Sequence, residues 1–416
     1  MTSIYKRIGD CIRLVDERND NLRVKTLLGL SITKEFIQSV ANIVGTDLKN
    51  YKIIRKNQFA CSTMQVRRDK KMPVALLKDY DEAIISAAYP VFEVIDEEII
   101  LPEYLMMWFS RSEFDREACF YAIGGVRGSI EWDDFCDMKL PVPSIDKQME
   151  IVNEYMVLVD RIELNNRLIE KLEESAKSIF KQWFVDFEFP DEDGNPYKSN
   201  GGELEYNDVL EKDIPKGWEV GVLEDIVEII ISHRGKSKSI MDLRDKDGEF
   251  IYPVISAMNV SNGAIVKQEM ISYVNKKTYK DWMRSPLEIG DVIMTSEAPM
   301  GELLYVANRK DYVLSQRLYG IRVNRNLSRG LFLYFWLCTT EAKKDMEGRA
   351  TGTTVLGIKL SELKKLIILK PTPEIIFEFE NKVHLIMEFV EEKRLENELI
   401  NDLKNILLSK LISVEG

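Results

Sequence analysis

Two short runs of the sequence combine positive charge with hydrogen-bond donors of fixed geometry. One holds Arg67, Arg68, Lys70 and Lys71; the other holds His233, Arg234, Lys236 and Lys238. An arginine guanidinium is a planar fork that meets two acceptors at once, whereas a lysine ammonium acts as a point charge on an anion. Such runs suit phosphate and base-edge contacts on a nucleic acid, and they also suit an ordinary solvated loop. Arg127, beside Gly124 and Gly125, and Arg349, close to Gly352, add one arginine each near two similar turns.

Residues for covalent or metal chemistry are scarce by comparison. The five cysteines (Cys11, Cys61, Cys119, Cys136, Cys338) are odd in number and never spaced C-x-x-C, which argues against a disulfide framework or a zinc site. The only histidines are His233 and His384, too few for an enzyme built on several, and neither is expected to be a ligand or a base. Gly235, Lys236 and Ser237 resemble the end of a phosphate-binding loop. That motif needs a glycine five positions before the Gly-Lys pair, where Ile230 stands. An Asn-Pro-Pro-Tyr or Asp-Pro-Pro-Tyr tetrapeptide and a Gly-x-Gly-x-x-Gly cofactor turn are both absent. The sequence therefore assigns no catalytic residue, no metal ligand and no cofactor to this chain. Trp108, Trp132, Trp218, Trp282 and Trp336 are expected in cores rather than as stacking platforms for bases.

The net charge of −12 over 416 residues looks unfavourable for nucleic-acid binding until its distribution is examined. Residues 146–215 carry a net −10 and residues 374–416 a net −5, while the two remaining blocks together carry +3. The acid is confined to two stretches. With 45% apolar residues the chain has enough material for two or three cores. The longest apolar run, Leu331 to Cys338, is far below the roughly 20 residues of a bilayer helix. Met1 to Arg7 is not followed by a secretory apolar stretch, so a cytoplasmic location with no membrane contact is expected.

The elements that must carry these residues occur twice. An offset of 228 aligns the two halves: Leu101–Ser110 lies over Arg329–Cys338, Gly124 over Gly352, Ile130 over Ile358, Leu140 over Ile368 and Pro143 over Pro371. After each proline a long amphipathic segment follows. In the first, Ile151, Tyr155, Leu158, Ile162, Asn165, Ile169, Leu172, Ala176, Ile179 and Trp183 recur in steps of four and three, the period of a coiled-coil seam. Roughly 40 helical residues would span about 60 Å. In the second, Phe379, Val383, Ile386, Val390, Ile400, Leu407 and Leu411 form a less regular stripe. Neither stripe can stand alone in water, so the two helices are expected to pair antiparallel. Short β-branched runs such as Tyr51–Arg55, Pro90–Ile95, Asp291–Thr295 and Leu318–Val323 predict strands, with one helix per block near 102–118 and 329–347. This is an α+β reading: globular blocks at 1–143 and 214–371, long helices at 144–189 and 372–416, and a Pro/Gly-rich linker at 190–213.

Three stretches of this layout resemble the specificity subunits of type I restriction-modification enzymes. The linker Asp186–Ser199 followed by Ile214-Pro-Lys-Gly-Trp-Glu-Val is similar to the junction opening that family's second target-recognition domain. Leu140–Pro143 and Ile368–Pro371 are similar to the strands leading into its spacer helices. Ile289–Gly301 resembles its strand-and-turn element, and Lys56-Asn-Gln-Phe takes the corresponding place in the first block, with Asn-Gln for Gly-Asp. The resemblance implies two similar target-recognition domains separated by two long antiparallel coiled-coil helices, related by a pseudo-twofold. It also implies that each domain reads one half of a split sequence in double-stranded DNA. The implied partners are two methyltransferase subunits, which would hold S-adenosylmethionine, with or without two restriction (translocase-nuclease) subunits. On this reading Arg67, Arg68, Lys70, Lys71, Arg127, Arg234, Lys236, Lys238 and Arg349 are candidate DNA contacts. Trp183 and Phe184, at the end of the first long helix, are candidates for binding a methyltransferase subunit or for packing internally. The competing reading is a two-domain protein-interaction scaffold that does not touch DNA.

Overall fold

A computed structural model describes residues 5–39, 47–125, 127–236, 238–243, 247–308, 311–352 and 354–411. The chain divides into two units, one formed by Met1–Leu164 with Glu396–Gly416 and the other by Asn165–Leu395.

In the first unit a four-stranded antiparallel sheet is built from β2 (Ile12–Val15), β3 (Phe59–Cys61), β4 (Val74–Leu76) and β5 (Val91–Val94), ordered β2-β5-β3-β4. A separate ladder pairs β1 (Tyr5–Arg7) with β6 (Lys139–Pro141). Between β3 and β4 runs the single-turn helix α1 (Val66–Asp69), and α2 (Pro102–Phe109), α3 (Ser112–Tyr121) and α4 (Trp132–Asp137) cover the sheet. Pro102 opens α2, where its missing N–H costs nothing. The core is aromatic: Phe59 stacks on Phe92 at 5.0 Å, and both meet Phe109 edge-on.

The second unit repeats this plan. Its sheet contains β8 (Val227–Ser232), β9 (Val292–Thr295), β10 (Leu303–Tyr305) and β11 (Leu318–Val323) in the order β8-β11-β9-β10, and β7 (Glu219–Val222) pairs with β12 (Ile367–Lys370). Helices α6 (Leu331–Leu337), α7 (Thr340–Arg349) and α8 (Leu360–Leu363) lie 228 residues after α2, α3 and α4. The bridge Ile123–Ser129 recurs as Thr351–Gly357 at the same offset. The expected strands are present. The helix expected near 102–118, and likewise the one near 329–347, is split in two, because Arg111 and Thr339 are both extended. Thr339 then caps α7 by accepting from the Ala342 N–H at 3.2 Å.

Two long helices complete the units: α5 (Ile145–Phe184), shared between them, and α9 (Pro373–Lys410), also shared. None of the expected seam positions on either helix is exposed. In the first unit the helices run antiparallel, since Tyr155 meets the Lys404 ammonium and Arg161 reaches Glu396. In the second unit they do the same, with Glu173 bonded to Arg394 and Phe180 packed 5.7 Å from Phe379.

Two expected boundaries move. Helix α5 stops at Phe184 rather than at residue 189, because Phe187 takes a left-handed φ of 62° and turns into the core with Phe189, which stacks on Trp218 at 4.9 Å. The stretch 190–213 is not plain linker either, since Leu204–Asn207 and Lys212–Pro215 form an antiparallel hairpin.

Each long helix is bolted to its unit by one buried polar side chain. Gln148 accepts the Leu101 N–H at the start of α2 and donates to the carbonyls of Ile99 and Pro143. Glu380, with no exposed surface, accepts from Ser328 Oγ, Arg329 N and Phe332 N at the start of α6. A carboxylate there satisfies N-terminal donors and meets the positive end of the helix.

Candidate nucleic-acid interface

In the first unit the sequence places Arg67, Arg68, Lys70 and Lys71 in the β3–β4 connection, and the fold brings Arg127 to them. Arg67 donates to the carbonyl oxygens of Ala122 (2.7 Å) and Gly124 (3.1 Å), and the Arg68 N–H reaches the Arg127 carbonyl. Gly128 is obligatory beside it: its φ is +47°, and an added Cβ would lie 2.6 Å from Arg67 Cβ. Arg68 pairs with Asp69 at 2.6 Å. Lys70, Lys71 and Arg127 are exposed and make no ion pair among the described residues. Arg67 is therefore a structural clamp, and the outward charge belongs to its neighbours.

In the second unit the basic run follows β8. Arg234 donates to Ser296 Oγ at 2.8 Å and pairs with Glu297 at 2.9 Å. The Lys236 ammonium sits 4.0 Å above the Trp282 ring, so Trp282, although buried as expected, also orients a cation. Partial burial, then the nearby Arg284 charge, hold the Lys236 pKa below the usual lysine range. Lys238 is exposed. His233 is buried against Trp282 and 3.4 Å from Met283 Sδ; burial, then Lys236, pushes its pKa down to about 4, so it is neutral. Among the described residues no group of three or more His, Cys, Asp or Glu is placed to hold a metal, and no helix is long and apolar enough to cross a membrane.

Three candidates fall outside these clusters. Arg349 pairs with Asp345 at 2.7 Å, and Asp345 also accepts the Ile367 N–H, so this arginine fastens α7 towards β12 instead of facing outward. Trp183 and Phe184 are both buried, with Phe184 4.9 Å from Phe332 and 5.1 Å from Phe379. They pack internally and leave no surface for a partner.

Sequence reading missed Arg317 and Gln316, which stand at the turn into β11. The Gln316 amide donates to the carbonyls of Lys236 (2.6 Å) and Lys238 (3.1 Å), and Arg317 Nε lies 3.0 Å from Glu297. No basic run marks Arg317; a lone arginine between Gln316 and Leu318 carries no sequence signal.

The two clusters occupy the same place in the repeat. The Ile130 N–H bonds the Thr63 carbonyl in the first unit, and Ile358 bonds Ser296 in the second, so in both the turn after the second short helix is pinned beside the loop leaving the central strand. Glycines at φ +102° (Gly124) and +116° (Gly352) shape these turns. The Asn-Gln for Gly-Asp exchange is resolved too. Asn57 at φ 65° and Gly290 at φ 90° make matching bonds, to the carbonyls of Leu77 and Val306.

Residues 215–405 match the family model of the type I restriction modification DNA specificity domain. The HindI specificity subunit of Haemophilus influenzae is 23% identical across 98% of this chain and 98% of its own length. Residues 215–405 thus carry a type I restriction modification DNA specificity domain, and over its whole length the chain is similar to a type I specificity subunit. Another relative is the MjaIX specificity subunit of Methanocaldococcus jannaschii, 24% identical over 77% of this chain and 70% of the relative. The fold agrees with the crystal structure of a type I restriction-modification system S subunit from M. genitalium, at a TM-score of 0.56 and 14% identity, covering 99% of this chain and 96% of that one. The matched residues 215–405 span most of the second unit and part of α9, and the first unit repeats the fold of the second at the 228-residue offset.

Proposed function

We propose that this chain is a type I specificity subunit whose two units are target-recognition domains, each reading one half of a split DNA sequence. The observation that carries the reading is convergence. The Arg67–Lys71 and Arg234–Lys238 runs are not related by the 228-residue offset, yet the fold delivers both to the same edge of the repeated unit. A repeated scaffold with different side chains at one edge suits a pair of readers with different half-sites. The near-neutral domains with local cations supply phosphate contacts, and the acidic stretches on the helices and linker stay away from the backbone.

On this proposal catalysis resides in partners. Two methyltransferase subunits carry S-adenosylmethionine, two restriction subunits can join them, and this chain contributes no reacting group. Support for docked partners comes from apolar side chains left outside the seams. On α9, Leu385 (68% exposed) and Phe389 lie in the second unit, and Leu399, Leu403 and Ile406 in the first; Val157 and Leu164 stand out on α5. Exposed leucines at heptad-like spacing on an already paired helix suit packing against further helices.

The test is binding of the chain with its methyltransferase subunit to duplexes at rising salt, before and after Lys70 and Lys71 are both changed to alanine. A reader of DNA shows a steep fall of affinity with salt, and the double variant lowers that slope by about 2. Affinity independent of salt would favour a scaffold that never touches DNA.

A further inference from the structure

We infer that Arg317 reads a guanine in the half-site of the second domain, held in position by Glu297, which Arg234 in turn holds. The inference rests on the DNA-reading proposal and adds the residue and the base. Glu297 has both carboxylate oxygens engaged, Oε2 by Arg234 Nη2 at 2.9 Å and Oε1 by Arg317 Nε at 3.0 Å. Arg234 is tied a second time, to Ser296 Oγ. The backbone is equally constrained: Glu297 bridges Gly357, and the Ser296 N–H bonds the Arg317 carbonyl at 2.8 Å.

Arg317 is nevertheless the open end of this chain of contacts. Its side chain is 60% exposed, against 29% for Arg234 and 26% for Glu297. With Nε bound to the carboxylate, both terminal nitrogens remain for an outside partner. Two parallel N–H donors match the O6 and N7 acceptors that only guanine presents together in the major groove. Fixing the side chain beforehand removes the ordering cost that a free surface arginine would meet on binding. A bare phosphate contact would need no such buttress. Lys236, poised over Trp282, is the nearby cation suited to that simpler task.

Strand register confines the effect to one domain. Val292 pairs with Ile321 as Phe59 pairs with Phe92, which places Ala88 of the first domain where Arg317 stands. Alanine offers no hydrogen bond, so the first domain reads its half-site by other means.

The experiment maps modified bases in DNA exposed to the chain assembled with its methyltransferase subunit, comparing wild type with R317A, R317K and E297Q. R317A is expected to accept other base pairs at one G·C position of one half-site, losing about 10- to 100-fold discrimination there, with the other half-site unchanged. R317K keeps the charge without the fork and should relax the same position. E297Q should relax it less, since the amide oxygen still accepts one bond. An unchanged motif in R317A, or a uniform loss of affinity rescued by R317K, would overturn the guanine assignment while leaving DNA reading intact. A wild-type assembly without any sequence preference would instead remove the proposal beneath it. R317K, a like-charged exchange at an exposed position, keeps the test decisive should R317A fold poorly.

Discussion

At the scale of single residues, the basic runs divide into charges that build and charges that face out. Arg67, Arg234 and Arg349 have their guanidinium groups committed to carbonyls, a hydroxyl or carboxylates of their own unit. Buried pairs are few but firm: Asp291, wholly buried, accepts two bonds from Arg322 at 2.8 and 2.9 Å. Breaking such a pair strands a charge, at a cost of about 3–5 kcal/mol. His233 gives this scale a pH signature. Its pKa is about 4 in the fold against 6.5 for the free group, so the unfolded chain binds the extra proton between those values. The stability that comes from keeping it neutral is complete above pH 6.5 and is lost as pH falls towards about 4, at most about 3 kcal/mol in all. Urea denaturation of wild type and H233F across this range is expected to show their stability difference changing with pH between 6.5 and 4 and level above 6.5. A difference independent of pH would mean that the imidazole takes up a proton in the fold.

At the scale of elements, the two domains reach one geometry through different residues. The turn before the central strand needs a left-handed residue in both, and Asn57 supplies it in one, Gly290 in the other. Asparagine tolerates this region, so either residue serves where space permits. Space differs: a Cβ on Gly290 would lie 2.2 Å from the Arg329 carbonyl oxygen, a backbone atom that cannot yield cheaply. N57G should therefore change stability by less than about 1 kcal/mol, whereas G290N should cost about 2–4 kcal/mol. Chemical denaturation of the two variants decides the matter, and equal effects would show that the close approach is relieved without cost. The helix ends follow the same logic. The heptad seam of α5 was readable from spacing alone, but its stop at Phe184 was not, because aromatic residues beyond it are drawn into the core around Trp218.

At the scale of the whole molecule, the proposed reading of a split sequence has a numerical consequence if the paired helices set the number of unread base pairs between the half-sites. Adding one heptad to α5 and one to α9 at facing positions preserves the seam and adds about 10 Å to each rod. The spacer between the two half-sites should then grow by about three base pairs at roughly 3.4 Å each, with both half-site sequences unaltered. Methylation mapping of the lengthened assembly reads this directly; an unchanged spacer would exclude the helices as the ruler.

The sequence by itself determined the duplication, the strands, the two seams, and the segregation of acid onto helices and linker. Each is a local or periodic property: a 228-residue offset, a heptad period, a count of charges along the chain. Only the tertiary structure decided which cations are available. Arg68 and Arg127, 59 residues apart, meet because the turn at Gly124 folds against α1, and Arg317 joins Arg234 because a strand register brings residues 83 apart onto one carboxylate. It also closed Trp183 and Phe184 into a core that spacing alone could not distinguish from an open face. Whether a polar side chain is spent within the fold or left for a ligand depends on neighbours distant in sequence, and that is information which composition and period do not contain.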